Sequence, residues 1–143
     1  MTNNFPKEDY AIGVICYKNK YLILRFRENY KYCPTDWDFL TKHLVSKEEY
    51  NNKDKTILKT LKFHTGLNGK IKKQYSEYCW PDPEYKILWH YYPFLIEVDN
   101  FYISLNPDSK YDQYKWVSKD EILNYERLGY FRNALKNTLY KGM

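Results

Sequence analysis

Arg25 and Arg27 lie two residues apart in the string Tyr21 to Arg27 (YLILRFR), and in a strand that spacing puts both on one face with Ile23. Two guanidinium groups on one face suit phosphate oxygens, which their forked donors can grip in pairs. A later string, Trp89-His90-Tyr91-Tyr92, is dense in aromatic rings, and Tyr91 is a candidate for stacking on a base. Carboxylates gather at Glu48, Glu49 and Asp54, with Glu77 and Asp112 as further donors; oxygen ligands of this kind hold Mg²⁺. His43, His64 and His90 and the cysteines Cys16, Cys33 and Cys79 show no zinc-ligand spacing, and nothing in the sequence pairs a base with a cysteine nucleophile.

These groups must be held by one domain. The 143 residues suffice for a single core and leave no room for a second. Apolar residues at 43% and aromatics at 20% supply that core and argue against disorder. A net charge of +5, from 23 basic and 18 acidic residues, favours anionic partners without choosing among nucleotides, RNA and acidic proteins. The basic residues are scattered, so a solvated surface accounts for most of them. Part of the abundance of Tyr, Lys and Asn fits A/T-rich codon drift. An odd set of cysteines without a CxxC pair argues for a reducing compartment, and the N-terminus has no apolar run. The expectation is therefore a cytoplasmic, unprocessed protein without a membrane span, since no apolar stretch is long enough for one.

The pattern of residues predicts a hairpin from Tyr10 to Arg27 turning at Lys18-Asn19-Lys20, then a loop around Pro34 and the string Trp37-Asp38-Phe39-Leu40. A polar loop is expected from Ser46 to Asp54, followed by a helix over 55–65 with Asp54 as N-cap, Ile57, Leu58, Leu61 and Phe63 at helical spacing, and Gly66 just past its end. Residues 69–78 read as a strand, and 85–98 as a long strand in which Pro93 marks a bulge or an edge. Ser118 is the expected N-cap of a further helix start, and Leu128, Phe131, Leu135 and Leu139 stripe a closing helix over 126–139. Strands and helices mix without regular alternation, which makes the fold class α/β of the α+β kind.

Three strings resemble the Nudix hydrolase superfamily along nearly the whole chain: AIGVICY its opening strand, HTGL the end of its helix, and YKWVSKDEI its late strand and next helix start. WDFLTKH and the tail around Phe131-Arg132-Asn133-Ala134-Leu135 are similar to the diadenosine-tetraphosphate hydrolase branch. The resemblance implies a Nudix-like mixed sheet packed between helices, over residues 1–143. It also implies a box, G-x5-E-x7-R-E-U-x-E-E-x-G-U, whose glutamates at i, i+3 and i+4 share a helix face, bind divalent cations and thereby neutralise pyrophosphate and activate water.

Anchored on Gly66 and Leu67, the box puts its arginine at Lys59 and its glutamates at Thr60, Phe63 and His64, so none of the three helix carboxylates is kept. His43 matches the histidine that follows the opening glycine, whose own place is taken by Lys42 in a longer loop, with Glu48 and Glu49 nearest the loop glutamate. The expectation is a degenerate domain with no catalytic residues, no metal and no cofactor, binding a nucleotide or an RNA or ribonucleoprotein through Arg25, Arg27, His43 and Tyr91. A protein partner is a further option. The alternative is an active, Mg²⁺-dependent nucleoside polyphosphate hydrolase of the diadenosine-tetraphosphate kind, with a displaced metal site built on Glu48 and Glu49.

Overall fold

The first two strands, β1 (Lys7–Tyr17) and β2 (Lys20–Phe26), turn at Lys18 and Asn19, whose φ values of 46° and 64° give the two-residue turn that matches strand twist. They pair with each other only at Cys16↔Tyr21 and Tyr17↔Lys20. Beyond that the hairpin opens, and the next segment fills the fork: β3 (Trp37–Asp38) pairs with β2, and β4 (Leu40–His43) pairs with β1 from Tyr10↔His43 to Gly13↔Leu40. The computed structural model describes residues 4–122, 124 and 125; the closing helix expected over 126–139 lies outside them.

Residues 46–54 contain a short helix, α1 (Lys47–Asn51), where a loop was expected. The signal was the capping box Ser46-x-x-Glu49: Ser46 Oγ accepts from the Glu49 amide at 3.1 Å and Glu49 Oε1 from the Ser46 amide at 3.2 Å. Because α1 buries no residue, no apolar periodicity announced it. The next helix, α2 (Lys53–Thr65), starts two residues earlier than expected, with Asn52 rather than Asp54 as N-cap. It ends at Gly66, whose φ of 80° is the left-handed cap conformation. Of its four spaced apolar residues, Ile57 and Leu61 are fully buried, a burial worth about 1.5–3 kcal/mol each; Leu58 is half-buried, and Phe63 is exposed.

The strand expected over 69–78 is two strands, β5 (Gly69–Gln74) and β6 (Tyr78–Asp82), both antiparallel to β7 (Ile87–Val98). On its other edge β7 runs parallel to β1 from Lys7↔Leu88 to Cys16↔Glu97. Pro93 therefore sits in a central strand, neither at a bulge in β7 nor at an edge. It is tolerated because its carbonyl, which accepts from Tyr75 N at 3.0 Å, faces the gap between β5 and β6. The amide it lacks would point the same way, where no ladder partner waits. The last strand, β8 (Tyr111–Val117), pairs with β2 across a bulge at Asp112, and α3 (Lys119–Ile122) follows with Ser118 and Glu121 in a second capping box.

The eight strands form one mixed sheet with apolar clusters on both faces. Alternation along β1 sends Ala11 and Ile15 toward α2, with Leu22, Leu24, Leu40, Ile57, Leu61 and Phe94, while Tyr10, Ile12 and Val14 join Ile23, Phe39, Trp89 and Ile122 of α3 on the other face. Gly69 lets α2 approach the sheet: a Cβ there would stand 2.5 Å from Ile96 Cγ2 and 2.8 Å from Leu61 Cδ2.

Candidate functional site

β4, α1 and the outer side of α2 enclose an open groove of about 580 Å³, lined by Lys42, Ser46, Glu48, Glu49, Asn52, Lys55, Thr56, Lys59 and Thr60. The fork between β1 and β2 places Lys42 on one wall, and helical spacing puts Lys55 and Lys59 one turn apart on the other. Among the described residues neither Lys55 nor Lys59 has an ion-pair partner, and both are exposed. Glu49 is already engaged. It accepts from the amides of Val45 (2.9 Å) and Ser46, and its second oxygen meets Lys42 Nζ at 3.1 Å; the Val45 amide, with the Lys42 ammonium, holds its carboxyl below the usual range. Glu48 is exposed on the rim.

Two of the three residues at the helix-glutamate positions are equally committed. Thr60 is buried and returns its hydroxyl to the Thr56 carbonyl at 2.8 Å, and Phe63 is 49% exposed. His64 points inward, its Nδ1 2.7 Å from Ser109 Oγ, and burial, with the nearby Lys110 and Lys42 ammonium groups, pulls its pKa down to about 4. It is therefore neutral at pH 7. Around it the loop before β8 docks on the end of α2: the Ser104 and Asn106 amides donate to the carbonyls of Thr65 and His64, supplying partners that the last turn of a helix lacks. Ser109 Oγ accepts from Tyr111 N, Tyr111 OH accepts from Thr41 N at 3.0 Å, and Lys110 Nζ donates to Thr41 O and Oγ1 at 2.9 Å. The Lys110 ammonium lies over the rings of Tyr111, Tyr30 and Phe26; burial pulls its pKa down to about 7 against the pull of Asp38.

The structure brings Glu48, Glu49, Lys59 and Thr60 to one groove and leaves the other expected ligand residues elsewhere. Arg25 Nη1 bonds both oxygens of Asp112 at 3.0 Å, and Arg27 donates to the carbonyls of Ser109 (2.6 Å) and Pro107. Both guanidinium groups turn to residues 107–112 and tie β2 to the start of β8, because a partly buried cation needs a partner. His43 meets Glu8 at 2.7 Å and stacks on Tyr10 at 4.7 Å. Tyr91 is 3% exposed and borders a cavity of about 20 Å³, room for about one water and not for a base. Lys55 and Lys110 were missed. Lys55, four residues before Lys59, was visible as a repeated charge on one helix face, whereas Lys110 followed a turn-like Asn-Pro-Asp-Ser string and gave no sign of burial.

No family model matches the sequence, and no curated protein matches it either. Solved structures do resemble the fold. A NUDIX hydrolase from Nitrosomonas europaea superposes with a TM-score of 0.69 at 18% identity, over 86% of this chain and 79% of that one. A MutT protein from Methanosarcina mazei Go1 gives 0.70 at 15% identity over 95% and 98%. The chain has the Nudix fold. The E. coli ORF135 protein, at 0.66 and 12% identity over 96% and 95%, is also similar. Such identities establish architecture alone.

The divalent cation that the Nudix box implies does not fit this donor set. Thr60 and His64 are bonded inward, Phe63 has no donor atom, Glu49 is held by two amides and Lys42, and among the described residues no three His, Cys, Asp or Glu side chains come together to hold a metal ion. No helix among the described residues is long and apolar enough to cross a membrane.

Proposed function

We propose that the protein is a Nudix-fold binding module for nucleotides that does not hydrolyse them. The observation that carries this reading is the commitment of Thr60 and His64 to internal hydrogen bonds and the lack of any metal-binding atom on the exposed Phe63 ring, with Lys59, Lys55 and Lys42 bordering the groove instead. Nudix chemistry needs a cation that gathers phosphate oxygens and lowers the pKa of water. An ammonium group does the first and cannot do the second, so binding without turnover is the function these residues support.

RNA is less favoured than a free nucleotide, since the arginine pair that would have tracked a strand is occupied by Asp112 and two backbone carbonyls. The test is hydrolysis of diadenosine tetraphosphate and nucleoside triphosphates with Mg²⁺ or Mn²⁺. The expected result is no release of product above a mock purification, with or without glutamates introduced at Thr60, Phe63 and His64, because Glu49 stays tied to its cap. Turnover in the ordinary enzyme range of about 1–10³ s⁻¹ by the unmodified chain would refute the proposal.

A further inference from the structure

We infer that the groove between β4, α1 and α2 binds the polyphosphate chain of a nucleotide directly on lysine side chains, without a divalent cation, so that Mg²⁺ opposes binding instead of mediating it. This rests on the reading of the protein as a nucleotide-binding module and names the part of the ligand held and the chemistry that holds it.

Four features of the groove converge on that ligand. Its volume of about 580 Å³ falls within the roughly 300–1,000 Å³ of small-ligand sites. Its charges are unbalanced once internal pairs are set aside: Lys42 and Glu49 satisfy each other at 3.1 Å, leaving Lys55 and Lys59 against the exposed Glu48. Lys55 and Lys59 repel each other across one helical turn, an arrangement that weakens the helix and that an intervening anion would relieve. The N-cap residue Asn52 gives α2 no side-chain acceptor; its amide donates to Glu48 O at 2.9 Å, so the first-turn N–H groups at this end of the groove lack a cap.

A row of two ammonium groups one helical turn apart fits a chain of anionic groups better than a single small ion. Free polyphosphate satisfies those ammonium groups, whereas a triphosphate wrapped around Mg²⁺ has lost about half its charge, and among the described residues no three His, Cys, Asp or Glu side chains gather to receive the metal.

The experiment is calorimetric titration of the full chain with ATP and with inorganic tripolyphosphate, in EDTA and then in excess Mg²⁺. Both probes are expected to bind in EDTA and to bind several-fold more weakly in Mg²⁺. Replacing Lys55 and Lys59 together by alanine is expected to weaken binding by about tenfold for each ammonium group removed, with no loss of thermal stability, while Lys55→Arg/Lys59→Arg retains binding. The control pair Lys18→Ala/Lys20→Ala, which removes the same charge at the hairpin turn, should leave binding unchanged. Stronger binding in Mg²⁺, equal weakening by both alanine pairs, or no binding of either probe in EDTA would each overturn the inference. ATP that binds more tightly in Mg²⁺, or only there, would overturn this inference and leave the reading as a nucleotide-binding module standing, so the two claims fail separately.

Discussion

The buried knot around His64 and the open groove beside Lys59 occupy one helix, and they treat positive charge in opposite ways. In the knot, desolvation lowers the pKa of His64 to about 4 and that of Lys110 to about 7, so burial drives both groups toward neutrality and commits their polar atoms to Ser109 and Thr41. In the groove, Lys55 and Lys59 stand exposed one helical turn apart, with no ion-pair partner among the described residues. The difference shows that α2 is divided: its inner positions serve cohesion, and its outer positions carry a charge that cohesion does not need.

The largest expected effect breaks the knot by protonation. Unfolded, His64 should titrate near its ordinary 6.5, and folded near 4; between those values the unfolded chain binds a proton that the folded chain refuses. The His64 contribution is thus whole above pH 6.5 and is lost as the pH falls toward 4, by up to about 3 kcal/mol. Denaturant unfolding at pH 7 and pH 4.5 should show a steeper acid loss for wild type than for His64→Gln, which keeps a partner for Ser109 but does not titrate. Parallel losses would mean that His64 is not buried as described.

Next in size is Gly66, which ends α2 beside the knot. With φ at 80° and open space around its Cα, Gly66→Val strains the backbone without a clash and should cost about 1 kcal/mol, read as a lower unfolding midpoint, while Gly66→Asn should cost less. Equal midpoints for the two variants would contradict a left-handed cap.

The smallest effect has the opposite sign. Lys55→Glu turns a repulsive turn of α2 into an attractive one and should raise stability by about 0.5 kcal/mol, while weakening nucleotide binding. A groove that only solvates the helix would gain the stability and lose nothing.

The end of α2 at Gly66, the start of α3 after Ser118 and the faces of β2 were legible because they rest on local rules: alternation, Ser at a cap, glycine beyond an end. The absence of carboxylates at Thr60, Phe63 and His64 was legible for the same reason, as a matter of residue identity at fixed spacing. Other features needed the fold. Arg25 and Arg27 do follow the hairpin, but the residues that neutralise them arrive from 107–112, too far along the chain for any pattern to reveal. The burial of Lys110 likewise depends on rings from β2 and the loop after it. Pro93 misled because a proline rule written for continuous partners met a strand whose neighbour changes beside it.

The parallel ladder of β1 and β7 joins residues roughly 80 positions apart, and such distant pairing must be closed against the entropy of the whole intervening chain. The hairpin turn can form as soon as it is made, yet β1 cannot gain its second neighbour until residue 98 has been synthesised. A growing chain therefore carries an incomplete sheet through most of its elongation, with an unpaired apolar strand open to wrong partners. On this basis sequence changes that speed the docking of β7 should raise the yield of native protein more than changes that strengthen the hairpin.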